Sequence, residues 1–100
     1  MALQRLKELN TKECLWVYVL KVLSERQGHP YPIRKEIETR YGFRPGYMTV
    51  YKVFYLLEKE GLLRKKREGS RTVYTVTTKG KEELAAAGEF YRTMVRVAGG

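Results

Sequence analysis

The residues able to do chemistry are few, and their types narrow what the chain can do. One histidine (His29) and one cysteine (Cys14) stand in 100 residues, and all eleven acids are glutamate. A Ser-His-Asp triad, a zinc site of four cysteines or of cysteine and histidine pairs, and an Asp-based magnesium site cannot be assembled within one chain. An enzyme would have to work through Glu, Lys and Tyr, and no spacing suggests such a site. His29, in a loop beside prolines, has no ligand partners. A lone cysteine excludes a disulfide framework and fits a reducing compartment. No catalytic residue, metal site or cofactor is therefore expected. The chain instead offers cations: Arg64, Lys65, Lys66, Arg67 and Arg71 lie within eight residues, diluted by Glu68 alone. Such a run suits phosphate oxygens.

The wider charge balance agrees. Twenty Lys and Arg against eleven Glu leave a net charge of +9, which implies an anionic partner such as nucleic acid or a membrane surface. Residues 1–43 carry +3, residues 44–81 carry +7 and residues 82–100 carry −1, so the excess is concentrated after the first third of the chain. With 43% apolar residues the length accommodates one domain, residues 1–100, and a domain this small gains from a partner subunit. The longest apolar run, Cys14 to Leu20, is far short of a membrane span. A cytoplasmic protein is expected. The absence of Asp, with few Asn and Gln, resembles compositions of hyperthermophiles.

Hydrophobic periodicity supplies the elements that must position the cations. Leu3, Leu6 and Leu9 form a short amphipathic turn or two, read as an extension that faces the core or a neighbour. Residues 11–26 form a helix with apolar positions at Leu15, Trp16, Val19, Leu20, Val22 and Leu23, opened by Asn10 and Glu13 in capping-box spacing. Pro32 starts a second helix, residues 32–41, that carries Ile33 and Ile37. After a turn through Pro45 and Gly46, a third runs from about Tyr47 to Glu60 with Val50, Val53, Phe54 and Leu57 inward. Residues 62–67 and 72–77 are strands of a hairpin turned at Gly69. Thr77 or Thr78 caps a last helix over about 78–97, with Gly99 and Gly100 frayed.

Three helices, a hairpin and a final helix give a mostly α chain with a small β-hairpin (α+β). That order is the order of a winged helix-turn-helix, with a core over about residues 11–77 and an added C-terminal helix. The third helix would enter the major groove of duplex DNA. Thr49 and Lys52 lie on its outward face with Leu56 and Lys59, and Arg44 and Tyr47 lie at or before its start, so Arg44, Tyr47, Thr49 and Lys52 are candidate contacts in or beside the groove. Tyr51 falls at the boundary of core and DNA. Lys65, Arg67, Ser70 and Arg71 of the wing are candidate phosphate contacts, the alternative being that the cations protect an edge strand from aggregation. Tyr18, Tyr51, Tyr55 and Tyr74 fall on or beside core faces and are read mostly as packing residues rather than base-stacking platforms. Trp16 and Cys14 are read as core or interface packing.

On the last helix Leu84, Ala87, Tyr91, Met94 and Ala98 recur at spacings of three and four, and Phe90, Val95 and Val97 widen the stripe. A two-fold dimer contact through Leu84, Ala87, Tyr91, Met94, Val95 and Ala98 is expected, with the leucines of the N-terminus or Trp16 joining it. Simple packing on the helical body is the alternative.

Several stretches resemble the PadR family of winged-helix transcriptional regulators. Pro32-Ile33-Arg34-Lys35-Glu36-Ile37 is similar to that family's second helix. Thr49-Val50-Tyr51-Lys52 and Leu57-Glu58-Lys59-Glu60-Gly61-Leu62-Leu63 are similar to its recognition helix and exit, and Arg71, Tyr74, Val76, Thr77 and Gly80 to its wing and the glycine beyond. Gly46-Tyr47-Met48 stands where the family usually has Ser-Pro-Gly. The resemblance implies a dimeric DNA-binding regulator, commonly a repressor, whose C-terminal helix mediates dimerisation; two recognition helices would then sit on a pseudo-palindromic site. Some members bind small effectors; nothing in this sequence specifies one. The rival reading is a winged-helix module that binds protein within the transcription machinery and DNA only weakly.

Overall fold

The computed structural model describes residues 1–99. Helix α1 (Ala2–Glu8) passes through a wider, π-helical segment, Leu9–Glu13, into α2 (Leu15–Glu25). The Asn10 and Glu13 capping box does not form, because the chain is already helical upstream and there is no helix start to cap. The Asn10 amide instead donates to the Leu6 carbonyl and the Thr11 hydroxyl to that of Lys7, each at 2.9 Å. Such back-bonding competes with the regular ladder and bends helices. The Tyr18 hydroxyl then pins the wide turn through the Asn10 carbonyl at 2.7 Å.

Helix α3 (Pro30–Tyr41) begins two residues earlier than the position of Pro32 suggested, since Pro30 has the φ of a first helical residue and follows extended His29. It ends at Gly42, whose φ of 78° is the left-handed value that lets the Gly42 amide reach the Glu38 carbonyl at 3.0 Å. The turn into α4 (Tyr47–Lys59) is anchored at both ends. Phe43 sets its ring edge-on to Tyr18 at 4.9 Å, and buried Pro45 accepts a bond from Arg34 Nε at 2.8 Å.

The hairpin pairs β1 (Leu63–Glu68) with β2 (Arg71–Val76) in antiparallel register, Lys65 opposite Tyr74 and Glu68 opposite Arg71. Both strands sit within one residue of expectation. A further pairing has no sequence signal: Gly28 exchanges both backbone bonds with Tyr74, at 3.1 and 2.6 Å. This covers one side of β2 and leaves β1, with its four cations, as the free edge, where charge discourages strand addition.

The core draws Leu15, Val19, Leu20, Val22 and Leu23 from α2, Ile33 and Ile37 from α3, and Val50, Phe54 and Leu57 from α4. Phe54 is wholly buried and meets the Tyr74 ring edge-on at 5.0 Å, tying α4 to the hairpin. Trp16 packs only partly against this core.

Helix α5 (Thr78–Gly99) continues past Val97 through Gly99; the expected fraying of Gly100 lies outside the described residues. Its start is locked by Thr77, which donates to the Gly61 carbonyl at 2.7 Å and accepts the Gly80 amide at 3.0 Å. Among the expected interface residues, Leu84 lies against the core, Ala87 and Tyr91 are half-buried, and Met94, Val95 and Ala98 are exposed. The N-terminal leucines do not pack on the body: Leu3, Leu6 and Leu9 are all more than half exposed, because α1 has no element of its own chain beneath it. The molecule is drawn out to 50 × 26 × 21 Å. No described helix is long and apolar enough to cross a membrane.

Candidate nucleic-acid interface

Helix α4 turns one stripe inward and leaves the opposite side to solvent. Val50, Phe54 and Leu57 are buried, and Thr49 and Lys52 are exposed with Met48, Tyr55 and Leu56. Residues 51 and 55 fall about 100° beyond the core stripe, given 3.6 residues per turn. Tyr51 is therefore 39% exposed, at the edge of the core, and Tyr55 is 55% exposed, so Tyr55 departs from the packing role read for most of these tyrosines. The Lys59 ammonium lies 5.4 Å from the centre of the Tyr55 ring. Tyr18 and Tyr74 do pack, as expected.

Four of the residues singled out from sequence meet at one place. Tyr51 from α4 and Lys65, Ser70 and Arg71 from the hairpin line a groove of about 400 Å³, together with His29, Pro30, Thr72 and Tyr74. The hairpin geometry explains the meeting. Alternation puts Lys65 on the face of Leu63 and Tyr74, the face turned to the body, whereas Arg64 and Lys66 point the other way. Gly69, with a φ of 65°, closes the turn that brings Ser70 back, and Arg71, paired with Glu68 and so on the Arg64 and Lys66 face, lines the groove from the turn. Arg67 shares the Lys65 face but lies outside the groove, exposed on the hairpin.

Arg44, Tyr47, Thr49 and Lys52 are not in the groove. Arg44 is held at the turn by an ion pair to Glu38, 2.7 Å between Nε and carboxylate. The Tyr47 and Tyr51 hydroxyls share a hydrogen bond at 3.3 Å; with Tyr51 as donor this bond, then burial, raises the Tyr51 phenol above its ordinary value. Burial raises Tyr74 as well, with help from Glu58. Both phenols stay protonated near neutral pH and remain able to donate.

Beside the groove stands a cluster that the sequence reading missed. The Tyr31 ring sits 6.1 Å from that of Tyr47, Arg34 lies over Tyr47 at 5.8 Å and Lys35 over Tyr31 at 5.7 Å. Tyr31 is 46% exposed. The basic pair Arg34-Lys35 three residues beyond a tyrosine was the available signal, since a helix brings positions three and four apart onto one face. Phosphate-seeking cations and exposed rings thus line the N-terminal ends of α3 and α4 and the inner face of the hairpin, a distribution suited to a polyanion with flat bases.

A helix-turn-helix whose second helix exposes a polar face beside a cationic hairpin defines a winged-helix protein of the DNA-binding class. The family comparison is more particular: residues 19–86 match the model of the transcriptional regulator PadR-like family. The chain belongs to that family of transcriptional regulators, which implies DNA binding rather than catalysis. Solved structures agree on the fold. A PadR family transcriptional regulator from Eggerthella lenta is 24% identical with a TM-score of 0.79, over 98% of this chain and 88% of that one. A transcriptional regulator from Clostridium thermocellum is 24% identical with a TM-score of 0.79, over 83% and 84%. A PadR family transcription regulator from Clostridium difficile is 23% identical with a TM-score of 0.73, over 82% and 91%. No curated protein sequence matches the chain.

Proposed function

We propose that this chain is a homodimeric, sequence-specific binder of duplex DNA that acts in the cytoplasm as a transcriptional repressor. The observation that carries the reading is the convergence of Tyr51, Lys65, Ser70 and Arg71 on one groove beside the exposed face of α4. In this reading α4 enters the major groove, where Thr49 and Lys52 meet base edges with Tyr47 and Arg44 at the margin. Lys65, Arg67, Ser70 and Arg71 hold backbone phosphates, which fix register without reading sequence. Tyr51 donates its hydroxyl to a phosphate from the floor between helix and hairpin.

The second copy of the chain is suggested by what remains uncovered. Phe90, Met94, Val95 and Val97 on α5 and Leu3, Leu6 and Leu9 on α1 are all more than 40% exposed. Two-fold pairing of these helices would bury them and place two α4 helices about 34 to 36 Å apart on a pseudo-palindrome. Leu84, Ala87 and Tyr91 then support the pairing helix from its own side, and Met94, Val95 and Ala98 meet the partner. Selection of bound fragments from sheared genomic DNA tests the reading. Enrichment of one inverted repeat, lost in the Lys52→Ala, Arg71→Ala double variant, is the expected result. Recovery of unrelated fragments with equal yield by both proteins would contradict it and favour a module that binds protein.

A further inference from the structure

His29 is the only histidine in the chain, and none of the roles above uses it. It caps α3 with extended backbone, and the Gly28 pairing with Tyr74 fastens the preceding residue to β2, so its place beside the hairpin is fixed by backbone bonds. It shares the wing groove with Tyr51, Lys65, Ser70, Arg71 and Thr72. The end of α3 itself offers little to an anion. Pro30 and Pro32 have no N–H, and the Ile33 amide is spent on the His29 carbonyl at 3.3 Å. Side chains must do the holding.

Those side chains are two permanent cations, four hydroxyls and one imidazole. No carboxylate lines the groove among the described residues. The acid of the hairpin, Glu68, is engaged by Lys66 at 3.5 Å and by the Gln27 amide at 3.2 Å. The remaining titratable neighbours, Tyr51 and Tyr74, are phenols held protonated by a hydrogen bond and by burial. A site with this lining favours a phosphate diester, and imidazole is the one member whose ordinary titration falls between pH 5 and 8.

We propose that the groove seats one DNA backbone phosphate with His29, as imidazolium, among its ligands, so that DNA binding takes up a proton and strengthens as pH falls from 8 to 6. The proposal rests on the DNA-binding reading above. A phosphate within hydrogen-bond reach favours the charged imidazole. By linkage, each unit by which the bound phosphate raises that titration gives about tenfold tighter binding below it. Lys65 and Arg71 stay charged throughout this range and supply the affinity that remains at pH 8.

Fluorescence anisotropy with a duplex carrying the selected repeat, at pH 6, 7 and 8 and constant ionic strength, tests this on the wild-type chain and on His29→Gln and His29→Lys. The wild type should bind about tenfold tighter per subunit at pH 6 than at pH 8. Its slope of log K against log salt should be steeper at pH 6 than at pH 8, one more cation per subunit then facing the DNA backbone. The Gln variant should be flat with pH at the weaker level and the Lys variant flat at the tighter one. The Gly28 bonds to Tyr74 involve backbone only, so both variants keep the fold, which thermal melts verify. Wild-type affinity independent of pH would overturn the clamp and leave the DNA-binding reading standing. A Gln variant that keeps the wild-type pH dependence would also overturn it, the proton then belonging to another group. Absence of duplex binding at pH 6 and low salt would overturn the DNA-binding reading, and the clamp with it.

Discussion

Lys52 and Arg71 are both exposed cations, yet their surroundings assign them different work. Lys52 projects from the outer face of a helix packed by Phe54, a rigid mount suited to base edges, whereas Arg71 stands at a hairpin turn within reach of the backbone. Lys52→Ala should cost about 1 to 3 kcal/mol of preference for the cognate repeat over random DNA. Arg71→Ala should weaken binding to both duplexes equally. Competition titrations with the two duplexes measure the difference. At the same scale, two half-buried phenols make stability depend on alkaline pH. Burial holds the Tyr18 and Tyr74 phenols above their ordinary value near 10, so the folded state keeps a proton that the unfolded chain releases. Their contribution is complete below pH 10 and is lost as pH rises through the higher folded values. Melting temperature should fall with pH in that window, together with the rise of tyrosinate absorbance. The place of Lys65, Ser70 and Arg71 on a hairpin was legible in the sequence because Gly69 separates two strand-length runs. Tyr31, Arg34 and His29 were not, since their importance comes from Tyr47 and the hairpin, distant in sequence, folding against them.

Elements were legible where periodicity was strong and displaced where it competed with neighbours. The core stripe of α4 and the hairpin could be read to within a residue because Val50, Phe54 and Leu57 keep helical spacing and Thr72 to Val76 is rich in β-branched residues. The start of α2 could not, because Asn10 and Glu13 have the spacing of a cap whether or not a helix precedes them. Nor could the single-residue pairing of Gly28, which needs no pattern of its own. The junction between hairpin and α5 shows why one glycine is required. A methyl group at Gly80 would lie 2.3 Å from the Leu62 carbonyl oxygen and 2.9 Å from Val76. The first of these is backbone and is itself bonded to the Thr77 amide at 3.1 Å. Gly80→Ala should therefore destabilise by roughly 2 to 3 kcal/mol, as overpacking does, despite the better helix propensity of alanine. Urea unfolding monitored by circular dichroism gives the value. A variant as stable as the wild type would show that α5 docks less closely than described.

The whole molecule is long for its mass because α1 and the far half of α5 extend from the core with apolar residues in solvent. Sequence periodicity exposed the broad stripe on α5, but which residues it turns to its own core and which away depends on how far it packs along α2, and that is a tertiary fact. Leu84 faces inward, whereas Val95 and Val97 are 70% and 72% exposed. A charge placed there should leave the monomer fold intact and abolish pairing. Leu6→Glu with Val95→Glu should convert a dimer at tens of micromolar into a monomer by sedimentation velocity, with unchanged helical content. A wild-type chain that is itself monomeric would remove the two-half-site geometry.

The central claim, that α4 and the cationic hairpin grip duplex DNA, is tested most directly by the salt dependence of binding. Each phosphate neutralised contributes about 0.9 to the slope of log K against log salt. Replacing Lys65 and Arg71 by alanine removes two cations from each subunit of the dimer, so the slope should become shallower by about 3.6 relative to wild type. A slope unchanged by the double substitution, with affinity unchanged, would contradict the claim and leave the hairpin charge as protection of a free strand edge.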